Sequence, residues 1–200
     1  MSETAIPQPA NARTAASASP VLWQTILLRA LATLAFGLVT VFWAEPGTIG
    51  LCVAFTIYLL ALAATQFLTV RALDLPRGDA RRLALLGATG LLAMSAVVVA
   101  ISVSALVSAW FCAAALAALG VAELFSARHK SSDGGRTPLR SDWSISAVLG
   151  LGTGLLLPFF VSAGPHGIMG VAGGGALMSG ALWMLSALTL RHDAAKSKAQ

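Results

Sequence analysis

Four side chains of this 200-residue chain stand where ionic chemistry would be unusual: Arg29 and Glu123 within long apolar runs, and Glu45 and His166 in short turns between such runs. Acids inside apolar spans are scarce because burying a charge is costly, which makes Glu123 a candidate proton-responsive carboxylate. The competing reading is an interfacial acid that reaches the headgroups or Arg128, about 7.5 Å further along the same helix. Arg29 is expected to snorkel, its stem in the apolar layer and its head at the interface. The alternative is an ion pair with Glu123, which would relieve a burial cost on the order of several kcal/mol per ion. Glu45, in "AEPG", reads mainly as a turn residue able to respond to external acid, and His166, in "GPHG", can titrate between about pH 5 and 8.

Enzyme chemistry finds no support. The chain has no HExxH, no GxSxG and no grouping of His with carboxylates, so no catalytic residue is expected. The glycines of "GLGTG" and "GIMGVAGGGALMSG" lack the strand and acid of a dinucleotide site and the Lys-Ser/Thr of a phosphate loop. Gly150 with Gly154, and Gly170 with Gly174, instead have the GxxxG spacing of close helix packing, between the fifth and sixth helices or between protomers. Cys52 and Cys112 lie inside apolar runs, outside any CxxC pair, and read as small buried hydrophobes. Neither a metal nor a cofactor is expected.

The elements that must position these residues follow from composition. Only 10% of residues are charged, 57% are hydrophobic and the mean hydropathy is +0.81, values incompatible with a soluble surface. The formal charge of +5 is scattered in short patches, which argues against nucleic acid and for membrane topology. Residues 1–20 resemble a disordered tail rather than a signal peptide. Apolar runs cover Val21 to Trp43, Thr48 to Val70, Leu83 to Ala122, Trp143 to Ala163 and Ile168 to Leu190. As one helix the third would be about 60 Å long, twice the hydrocarbon thickness, so it must turn, near "AISVSA" at residues 100–105. Pro158 is expected to kink the fifth helix.

Aligning Arg71 with Arg128 (offset 57) and Arg128 with Arg191 (offset 63) superposes "QFLTVRA", "ELFSARH" and "SALTLRH" and places Gln66 on Glu123. The reading is an all-α polytopic membrane protein whose six transmembrane helices form three tandem hairpins. The repeats span residues 21–72, 81–129 and 141–192 of a domain covering 21–192, with a cytoplasmic tail at 193–200. All 13 Lys and Arg fall on one side, which by the positive-inside rule makes both termini cytoplasmic.

The first repeat, with Trp23, Arg29, Gly37, the Trp43 to Pro46 turn and a closing polar residue plus Arg, resembles the HdeD-like family of bacterial short-repeat membrane proteins. That resemblance implies six helices in the bacterial inner membrane and a non-enzymatic role in acid or general stress tolerance, through membrane integrity or partner binding. The expected partners are the lipid bilayer and a second copy or other membrane proteins. The runner-up is a proton or small-solute transporter or channel, lined by hydroxyls such as Thr153, Ser162 and Ser179.

Overall fold

The computed structural model describes residues 21–129 and 139–198, and the expected disorder of residues 1–20 falls outside them. Every regular element among the described residues is helical. In order they are α1 (Leu22–Phe42), α2 (Thr48–Ala72), α3 (Ala80–Ser102), α4 (Ala105–Arg128), α5 (Arg140–Leu156), a 3₁₀ segment (Leu157–Ala163) and α6 (Gly164–Lys198). Five continuous runs are long and apolar enough to cross a membrane, the fifth extending over 57 residues from Arg140 to Lys196 through α5, the 3₁₀ segment and α6. Large apolar side chains cover the outside as well as the core, with Phe42, Ile101 and Phe159 all exposed. Such a surface is stable only against lipid, and the architecture is that of a multi-pass membrane protein.

Helix boundaries have local causes. The break in the third apolar run falls at Val103 and Ser104: Val103 takes a left-handed backbone (φ 44°), and the Ser104 hydroxyl accepts the Val107 N–H at 3.4 Å to start α4. Asp79 caps α3 by accepting the Arg81 backbone N–H at 2.8 Å, and its carboxylate also pairs with the Arg81 side chain. Those hydrogen bonds hold the Asp79 carboxyl below the usual range.

Pro158 ends the α-helical geometry of α5 outright and begins the 3₁₀ segment, rather than kinking a continuous helix. The "GPHG" turn is likewise displaced. These four residues form the first turn of α6, and the reversal is made at Gly164, whose φ of +72° favours glycine. At its other end α6 continues past Arg191 to Lys198, so the segment after residue 192 is helical as far as it is described.

Each helix packs on its neighbours in sequence, and α1 closes the ring against α6. The α1/α6 seam is close because glycines face it: a Cβ on Gly37 would stand 2.6 Å from Leu177 Cγ, one on Gly180 2.7 Å from Leu34 Cγ, and one on Gly173 would collide with Thr40. Gly150 and Gly154 face α4 rather than α6; a Cβ on Gly154 would meet the Ala113 carbonyl at 2.8 Å. Gly170 and Gly174 face open space. Within the chain, α6 is therefore not joined to α5 through Gly170 and Gly174; its close approaches use Gly173, Gly175 and Gly180, on its inward face.

Candidate functional site

Buried positions of α1 recur every three or four residues, at Thr25, Ile26, Arg29, Ala30, Thr33, Phe36, Gly37 and Thr40. Arg29 lies in the middle of that inward stripe, and snorkelling is excluded: it is 3% exposed. Glu123 (1% exposed) and Gln66 (1%) occupy inward positions of α4 and α2. The guanidinium joins them. Nη2 of Arg29 donates to Glu123 Oε1 at 2.5 Å, and Nη1 donates to Gln66 Oε1 at 2.7 Å. The indole of Trp183 on α6 covers the cation at 4.4 Å, and its Nε1–H donates to Ser146 of α5 at 3.2 Å.

One cation thus ties α1 to α2, α4 and α6, and through Trp183 to α5. A desolvated cation–π contact of this kind contributes about 2 kcal/mol. The ion pair offsets the cost of burying each charge, so its chief effect is specificity of packing: either partner alone would be strongly unfavourable. Nearby hydroxyls are quenched by their own backbone; Thr33 donates to Arg29 O, Thr69 to Thr65 O and Ser126 to Ala122 O.

Beside the pair lies a cavity of about 30 Å³ whose polar lining is Arg29, Tyr58, Glu123, Ser146, Thr153 and Ser179. Two of the hydroxyls expected to line a path, Thr153 and Ser179, therefore share a cavity with Arg29 and Glu123, whereas Ser162 is exposed in the 3₁₀ segment. Glu45 and His166 are exposed, and among the described residues neither belongs to an ion pair. No group of three or more His, Cys, Asp or Glu among the described residues could hold a metal ion. Cys52 and Cys112 are buried and free, Cys52 lying 3.3 Å from the Ser108 hydroxyl.

Sequence reasoning missed Gln66, Trp183 and Tyr58 as members of the site. For Gln66 a signal existed, because the 57-residue offset places it on Glu123, and both equivalent positions prove to bind the same guanidinium. Trp183 sits one turn before Ser186, the third equivalent position, but nothing in an apolar span distinguishes a packing indole from one stacked on a cation. Comparison with family models, with curated proteins and with solved structures finds no match to this chain.

Proposed function

We propose that the chain crosses the membrane six times as three tandem hairpins, with both termini in the cytoplasm, in the inner membrane of a bacterium. On this reading the run from Arg140 to Lys196 makes two crossings. As a single helix it would be about 85 Å long, against about 30 Å of hydrocarbon. The Ser146–Trp183 hydrogen bond and the fit of Gly175 against Thr153 support two antiparallel halves, since the partner residue number falls as the other rises. The protein is proposed to be non-enzymatic and HdeD-like, acting in acid or general stress tolerance through membrane integrity or partner binding.

The observation that carries this reading is the buried Arg29–Glu123 pair. Protonation of Glu123 would leave the Arg29 charge in a site built for a pair, loosening the tie between α1 and α4. The groups around Glu123 are Arg29 on α1, Gln66 and Tyr58 on α2, Ser146 on α5 and Ser179 on α6; Arg29 is the charged one. Bundle packing would then respond to acid. Passage of protons is a second reading, favoured by the hydroxyl-lined cavity, whose 30 Å³ suits water rather than a solute.

Deleting the gene should reduce survival after acid shock, and Glu123→Gln should reproduce part of the defect. Equal survival of mutant and parent across about pH 2 to 5, where carboxylates titrate, would remove the acid-tolerance role. Proton and solute flux into liposomes holding the purified protein separates the two readings: the first expects none, the second expects protons alone.

A further inference from the structure

The buried cluster has more hydrogen-bonding capacity than the protein around it satisfies. Arg29 Nε and Gln66 Nε2 are buried donors with no partner. Glu123 Oε1 receives Arg29, whereas Oε2 of the same carboxylate makes no hydrogen bond to a described residue. The hydroxyls of Tyr58, Thr153 and Ser179 likewise bond to no described residue, in contrast to Thr33, Thr65, Thr69 and Ser126, which return to carbonyls of their own helices. Glu123, Tyr58, Thr153 and Ser179 all line the same cavity.

A water molecule needs about 10–15 Å³ of such space and two to four polar partners. The cavity offers ≈ 30 Å³, a carboxylate and several hydroxyls. Hydrocarbon can satisfy neither the Glu123 carboxylate nor the hydroxyls that line this pocket, whereas water can. We infer that this partly open pocket is a water site within the bundle, holding about two molecules against the Glu123 carboxylate and the hydroxyls of Thr153 and Ser179. Water there gives the Glu123 carboxylate hydrogen-bond partners that the protein around it does not supply. The inference concerns what the cavity binds and stands independently of acid tolerance.

Water-edited solid-state NMR of the full chain in liposomes tests it. Magnetisation from water should reach the methyl groups of Ala172 and Ala176, which line the pocket and are buried, far sooner than those of Leu92 and Ala96, which are buried to a similar degree in the core on α3. Build-up at Ala172 as slow as at Leu92 would overturn the proposal. Filling the space with Ala176→Leu should abolish the early transfer at Ala172, and persistence in that folded variant would also overturn it. Ala172→Val, a smaller filling change in the same lining and read at Ala176, replaces Ala176→Leu should the latter fail to fold.

Discussion

Removing Arg29 alone would strand the Glu123 carboxylate beside Leu62, Leu116 and Leu119, which line the same cavity. Arg29→Met is therefore expected to cost about 3–5 kcal/mol, the range for breaking a buried pair. Replacing both charges, Arg29→Met with Glu123→Leu, should recover most of that loss, because the apolar pair escapes the desolvation penalty. Reversible unfolding in mixed micelles measures it, and strictly additive losses would show that the two side chains do not interact. The pairing was legible as an alternative, since depth allowed it. What favoured snorkelling was sequence position near the helix end, but Thr25, Arg29, Thr33 and Thr40 share one face, and a helix in lipid turns its polar face inward. At the start of α3, Asp79→Ala should cost about 1 kcal/mol through loss of the helix cap. The Asp79 carboxyl is held below its ordinary value by Arg81, so its contribution is present above about pH 4 and fades as pH falls through the lowered folded value. The difference in stability between Asp79→Ala and the parent should accordingly shrink between pH 7 and pH 2.

Among the elements, α6 presents two glycine faces with opposite surroundings. Gly173→Ala drives a methyl into Thr40 of α1 and is expected to destabilise by about 1–3 kcal/mol, as overpacking does. Gly174→Ala, one residue on, faces open space and should change stability by no more than about 0.5 kcal/mol. Equal effects of the two substitutions, read from thermal unfolding of the purified protein, would mean that the α1/α6 seam is not where the structure puts it. The turn between α3 and α4 offers the converse case. Val103 is β-branched and left-handed, so Val103→Gly should stabilise by about 1 kcal/mol. Length arithmetic on the third apolar run located this turn, because no helix of 40 residues fits the bilayer. The chemistry of the turn was not legible, since the chain closes it with a Ser cap and a strained Val instead of Pro and Gly. The spacing of glycines proved a poor guide for a related reason: GxxxG identifies a face able to pack closely, but which neighbour lies across it depends on the order of helices around the ring. Gly150 and Gly154 found α4, and the Gly170/Gly174 face meets no other helix of the same chain.

At the scale of the whole molecule, closure of α1 on α6 converts a linear sequence of helices into a ring and fixes which ends lie together. Across that seam Leu34 meets Gly180 and Thr40 meets Gly173, so residue numbers fall on α6 as they rise on α1 and the two helices are antiparallel. Extending the register brings Glu45, just past the end of α1, and His166, in the first turn of α6, to the same end of the molecule. Arg77, between α2 and α3, and Lys196, near the end of α6, belong to the opposite, basic end. All four residues are exposed, whereas the native Cys52 and Cys112 are buried and should stay silent toward an impermeant thiol reagent. On the proposed orientation, single cysteines at Glu45 and His166 should react on intact spheroplasts, and those at Arg77 and Lys196 only once the membrane is permeabilised. The position on α6 is the decisive one. Reaction of His166→Cys and Lys196→Cys from the same side would leave α6 without a crossing of its own, and with it would go the antiparallel seam that sets the inward faces of Arg29 and Trp183.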